Sequence, residues 1–205
     1  MLGIIENLEL IEPHQAFSIL KNCLSIPKLI YLLRIAPCFK CKKELEVFDT
    51  AIKTNMEKIC NVNVSFKENW SQAFLPIRYA GLGLRSTADL SLPCFLSSSH
   101  ACKDLVNRLL PSLNLEIPYE DVNDAIDDWC KHHDSSPLEK GTQAAWDDLA
   151  RRDTLNSLLN TNNPWNHCWL IAAQESHTAA WSEAFPIASV GNLLSPDELR
   201  IAIAL

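Results

Sequence analysis

Two cysteines separated by two residues, Cys38-Phe-Lys-Cys41, have the spacing most suggestive of chemistry in this chain. It suits half of a zinc site or a dithiol–disulfide pair. A tetrahedral structural zinc needs two further ligands. No second pair at that spacing exists, and Cys60, or Cys94 with His100 and Cys102, could close a site only through tertiary proximity. The expectation is a loop with two reduced thiols and no metal. Cys130-Lys-His-His133 invites the same thought, but His132 and His133 at the C-terminal end of a helix also suit the helix dipole. The acidic stretch from Glu120-Asp121 to Asp127-Asp128 could suggest a divalent metal and phosphoryl transfer. Such sites converge their carboxylates on one point. These acids are spread along a helix whose buried side is marked by Trp129, so a solvated face is expected. Six tryptophans could stack bases, yet Trp129, Trp146, Trp165 and Trp169 fall on apolar helix faces, where core packing is the default. Gly81-Leu-Gly83 lacks the third glycine, the lysine and the preceding strand of a phosphate loop. No constellation qualifies as a catalytic site.

Charge narrows the remaining options. The 205 residues carry a formal charge of -7, unevenly spread. Residues 1–70 hold nine Lys and Arg against eight Asp and Glu, whereas residues 71–205 hold nine against seventeen. Binding to nucleic acid draws much of its free energy from neutralising phosphates. The second part is therefore a poor candidate for a broad phosphate-binding surface, and any such contact is expected within the first seventy residues. The eight cysteines, without a secretory signal, point to a reduced compartment, several of them acting as small hydrophobes on helices. The absence of a signal peptide and of a run of about 18 apolar residues points to an intracellular chain, in cytoplasm or nucleus, and to no membrane partner.

The elements that must position these groups read as helices. Only five glycines, with many Leu, Ala and Trp, favour helix over sheet. Residues 13–25 form one helix opened by Pro13, and Lys28 to Ile35 a second that ends before Pro37. Lys43 to Ile59 is amphipathic, with Leu45, Phe48, Ile52, Met56 and Ile59 on one stripe. Residues 61–68 read as a connector, with Asn69 and Ser71 as candidate caps for the next helix and Trp70 between them as anchor. Thr87 to Leu110 is helical, capped by Ser86 or Thr87, with a restart expected at Pro93. Tyr119 to His132 is an acidic helix anchored by Val122, Ala125, Ile126 and Trp129. Ser136-Pro-Leu-Glu139 has the form of a capping box for a helix over 137–159. Pro164 opens a helix rich in Trp165, Trp169, Ile171, Ala172 and Trp181. Ser195-Pro-Asp-Glu198 is a second capping box, and its helix is still apolar at Leu205, as if the chain were truncated. The fold class expected is all-α: a multi-helix bundle over 1–70, a Trp/Gly-Leu-Gly block with helices over 71–135, and a helical region over 136–205.

The most patterned stretch is residues 70–98. It opens as an aromatic-anchored turn, closes as an amphipathic helix, and places Gly81 and Gly83 in alternation with Leu82 and Leu84. Glycine there permits positive φ or close approach of another surface while the leucines pack.

Trp70-Ser-Gln-Ala-Phe-Leu-Pro76, Gly81-Leu-Gly-Leu-Arg85 and Leu92-Pro-Cys-Phe-Leu-Ser97 together resemble a block in non-LTR retrotransposon reverse transcriptases, downstream of their polymerase active site. Ala80 stands where that family usually has the first of its glycines. The resemblance extends to Ala16–Arg34 with Ala36-Pro37, to Trp181–Pro186 and Leu194–Leu205, and to Met1-Leu-Gly3, which is similar to the end of a primer-grip segment. It implies the thumb and the helical region beyond it in an RNA-directed DNA polymerase. The metal-binding aspartates of the family, with its Tyr-Ala-Asp-Asp motif, belong to a palm that this sequence lacks. The fragment is thus expected to be non-catalytic and to need no cofactor. Its partners would be the missing palm and fingers and, through residues 1–70, an RNA–DNA or DNA duplex. Lys21, Lys28 and Arg34 are the expected phosphate contacts, with solvated surface charge as the open alternative. Trp70, Gly81, Gly83 and Arg85 are its structural motif. The competing expectation is a helical protein-interaction or scaffold module, a retroelement remnant indifferent to nucleic acid.

Overall fold

The computed structural model describes residues 7–64, 67–112, 120–160, 164–175, 177–178 and 180–203. Met1-Leu-Gly3 and most of the 111–118 loop, the 160–163 turn and the last two residues lie outside them. Among the described residues the fold is all-α, without a strand.

Helix α1 (Pro13–Ile19) has proline in its first turn and runs into a π-turn, Leu20–Leu24. The break at Ser25 and Pro27 starts α2 (Ile26–Ile35). Length and composition would let Pro13–Ile35 cross a membrane, but Phe17, Leu20, Leu24 and Leu33 are buried against other helices. Helix α3 (Lys42–Cys60) buries the expected stripe, Leu45, Ile52, Met56 and Ile59, and stops at Asn61 in the left-handed region. Helix α4 (Lys67–Ala73) is a correction. It contains Asn69, Trp70 and Ser71, so the expected caps and the aromatic turn are parts of the helix itself. Trp70 packs tilted against Phe74 one turn later, 4.1 Å between ring centres, which favours helix over turn.

Helix α5 (Thr87–Ser112) passes through Pro93 without the expected restart. Leu90, Cys94, Phe95 and Leu96 on either side of the proline are all buried, so packing outweighs one missing backbone hydrogen bond. Helix α6 (Glu120–His132) buries Ala125 and Trp129, while Ile126, an expected anchor, is exposed. Helix α7 begins at Gln143 and runs to Leu159, six residues later than the Ser136 box suggests. Two indole N–H groups anchor residues 135–140 ahead of it instead: Trp129 donates to the Ser135 carbonyl (2.9 Å) and Trp146 to the Lys140 carbonyl (2.7 Å). The two rings meet edge to face at 4.8 Å. Helix α8 (Pro164–Ala173) leaves Trp165 and Trp169 exposed, against the expected core role, and Trp181 lies beyond it on a short 3-10 turn. Helix α9 (Pro196–Ile203) carries the expected box: Ser195 N–H donates to Glu198 Oε2 (2.8 Å) and Glu198 N–H to Ser195 Oγ (3.4 Å).

Among the described residues the buried side chains form four clusters, and the 70–98 block enters each. Phe74 and Leu84 join α1, α3 and α9 around Phe17, Met56 and Leu199. Ala88, Leu90 and Cys94 join Leu33 and Leu45. Phe95 and Leu96 meet Ala125, Trp129 and Trp146, and Leu75 meets Leu155, Leu158 and Leu170.

Candidate functional site

The turn between α4 and α5 is fixed by backbone geometry that its sequence requires. A Cβ on Gly81 would lie 2.0 Å from the Leu75 carbonyl oxygen, so no side chain fits there. Gly83 has φ +73, and Lys21 lies over it. Ala80 has φ 63, the left-handed region that favours glycine. Asp49, buried on α3, closes the turn. It accepts from the Ser86 hydroxyl (2.7 Å), the Thr87 hydroxyl (2.7 Å), the Thr87 N–H (2.8 Å) and the Ala88 N–H (3.2 Å). Ser86 Oγ in turn accepts from the Asp89 N–H (3.1 Å), so the local cap is Ser86 and a second, tertiary cap comes from another helix. Burial pushes the Asp49 carboxyl above its ordinary range, with the four donors opposing.

This turn delivers arginines to one place. Arg85, from the Gly-Leu-Gly block, forms an ion pair with Asp147 on α7, which also pairs with Arg151 (3.4 Å). Arg151, only 5% exposed at its side chain, reaches Asp89 at 3.1 Å. Beside them Arg78 and Arg152 flank Asp148, at 2.6 and 2.8 Å, and the Tyr79 hydroxyl donates to the same carboxylate (2.6 Å). Burial works against the ionised form of Asp148, but Tyr79, Arg152 and Arg78 outweigh it and hold the carboxyl below its ordinary range. Arg34, at the end of α2, donates through Nη2 and Nε to the Gln143 side-chain oxygen (2.9 and 3.3 Å). Arg34, Arg78, Arg85 and Asp147 thus line a groove of about 480 Å³, with Pro76, Thr142, Gln143 and Ala144 as its walls. Five of the seven arginines, Arg34, Arg78, Arg85, Arg151 and Arg152, gather here in a chain whose formal charge is -7. Against them stand Asp89, Asp147 and Asp148, which leaves a local charge of +2. Guanidinium groups converging in this way suit phosphate recognition, because their paired donors match two oxygens.

Of the three cations expected to touch phosphate, one sits in this groove. Arg34 lines it. Lys28 is exposed in the first turn of α2. The Lys21 ammonium is turned inward, donating to the Ser182 carbonyl (3.0 Å), and burial lowers its pKa while Glu183 opposes. Arg78, Arg151 and Arg152, beyond residue 70, were not legible as partners. Their helical spacing to Asp147 and Asp148 was the available signal, since Arg151 and Arg152 each follow an aspartate by four.

The other candidates are accounted for by local contacts. Lys40 bridges Asp121 (2.7 Å) and Asp124 (2.5 Å) on the exposed acidic face of α6. His132 is solvent-exposed, whereas His133 stacks on Trp129 at 4.0 Å and meets Asp153 at 2.7 Å. Among the described residues no three His, Cys, Asp or Glu side chains group as a metal site would require. Cys38 is half-buried and Cys41 exposed, while Cys60 and Cys94 are core residues whose thiols burial pushes up to about 12. A second concavity of about 460 Å³, lined by Val62, Val64, Leu82, Trp181 and Ile203, is mostly apolar. Arg200 is the charged residue among those described around it, and it pairs with Asp197 at 3.4 Å. The arginine groove therefore holds the more specific chemistry. The chain matches no protein-family model, no curated protein and no solved structure.

Proposed function

We propose that this chain is a non-catalytic helical module that holds nucleic acid by its phosphates, as the thumb and connector of a retrotransposon RNA-directed DNA polymerase would. One observation carries the reading: Arg34 from α2 and Arg78 and Arg85 from the turn between α4 and α5 line one groove, with Arg151 and Arg152 of α7 beside it, five positive charges against three aspartates in an acidic chain. The resemblance of the 70–98 block supports it, because that block supplies Arg78 and Arg85. The contact surface differs from the one expected over residues 1–70, drawing on Arg34 but mostly on residues after 70. Binding of the purified chain to a labelled RNA–DNA hybrid across a salt series tests it. Affinity should fall steeply with salt, and the double substitution Arg34→Ala, Arg78→Ala should reduce the salt slope by about two, near one per lost phosphate contact. A folded protein that does not bind at low salt overturns the proposal.

A second reading has its own observation. Tyr31, Leu32 and Ile35 are exposed together on α2, an apolar face that a protein partner could cover. It corresponds to a helical interaction module and gains ground if nucleic acid is not bound.

A further inference from the structure

We infer that the groove takes a terminal phosphate monoester of a nucleic-acid strand in preference to the internal phosphodiester. This rests on the nucleic-acid reading above and specifies the group recognised. Three features argue for it. Arg34 from α2 and Arg78 and Arg85 from the turn between α4 and α5 line one concavity, whereas a backbone track calls for charges set out along a line. The three lining arginines and Arg152, which shares Asp148 with Arg78, stand against Asp147 and Asp148, a sum of +2 that matches a dianion and leaves a monoanionic diester half-compensated. Finally, Arg34 spends two donors on the neutral oxygen of Gln143, a weaker acceptor than phosphate. A phosphate oxygen displaces Gln143 at little cost, since that side chain stands at the groove wall and can turn to solvent.

Fluorescence anisotropy with one single-stranded oligonucleotide, carrying phosphates at both ends or hydroxyls at both ends, provides the test. The phosphorylated strand should bind about tenfold tighter, the worth of one added charge-assisted hydrogen bond. That preference should shrink from pH 7.5 to pH 5, because the monoester loses its second charge near pH 6 while arginine does not titrate. Arg34→Ala, at an exposed position, should abolish the preference with the helical circular-dichroism spectrum unchanged. Equal, salt-sensitive binding of both strands overturns the monoester assignment and leaves the nucleic-acid reading standing. Binding of neither strand overturns both. Competition by inorganic phosphate as effective as that by the phosphorylated strand overturns the strand-end assignment in favour of a free-anion site.

Discussion

Single residues decide whether the central turn can form. Asp49 satisfies two hydroxyls and two backbone N–H groups at the start of α5. Asp49→Ala takes the acceptor from the Ser86 hydroxyl and the Thr87 and Ala88 N–H groups, leaving the Thr87 hydroxyl only the Leu45 carbonyl at 3.2 Å, and should cost about 2–4 kcal/mol of unfolding free energy. Asp49→Asn, which keeps one acceptor, should cost less, and urea titration of both variants measures the difference. The glycines and Ala80 respond in opposite directions. Gly81→Ala drives a methyl into the Leu75 backbone and should prevent stable folding. Ala80→Gly relieves a left-handed alanine and should raise stability by about 1 kcal/mol, read as a higher melting temperature. The residue usual in the resembled family is thus also the one this backbone prefers.

Elements show where local signals lose to packing. Proline within a helix costs about 3 kcal/mol relative to alanine because it removes a donor and crowds the preceding turn. Helix α5 nonetheless runs through Pro93, because the turns around it bury Leu90, Cys94, Phe95 and Leu96 against α2, α3, α6 and α7. Pro93→Ala should therefore stabilise the protein, by about 1 kcal/mol after the loss of the buried ring, with the helix ends unchanged. Denaturant unfolding checks the sign. The two capping-box sequences make the complementary point. Ser195–Glu198 forms its reciprocal bonds at the start of α9. Ser136–Glu139 opens no helix, because Trp129 and Trp146 take the Ser135 and Lys140 carbonyls and hold that path outside a helix.

At the scale of the whole molecule, the C-terminal segment is strapped to the N-terminal helices. His14, buried on α1, accepts the Leu194 N–H at 3.0 Å, Lys21 holds the Ser182 carbonyl, and Trp181 packs on Phe17. Burial lowers the His14 pKa from 6.5, so the unfolded chain binds a proton there that the folded chain resists. Stability from this strap is complete above pH 6.5 and is lost as pH falls below it towards the depressed folded value. His100, also lowered by burial and then by Lys140 and Lys103, acts in the same direction. Melting temperature should therefore drop between pH 7 and pH 5, and His14→Gln, which keeps an acceptor that does not titrate, should flatten the part due to the strap.

Much of this architecture could be read along the chain. Hydrophobic periodicity placed α1, α2, α3 and α6, and the Ser195 box placed α9, because each depends on neighbours three or four residues away. Gly81 and Gly83 marked the turn because only close approach or positive φ calls for glycine in an alternating apolar segment. The sequence alone thus determined an all-α chain organised around residues 70–98. The tertiary structure decided the continuation of α5 through Pro93, the late start of α7, the exposure of Trp165 and Trp169, and the inward turn of Lys21. It alone brought Arg34, Arg78, Arg85, Arg151 and Arg152 together. Periodicity reports which face of a helix is apolar, but the meeting of charges up to 118 positions apart is fixed by how those faces pack, and no local pattern carries that information.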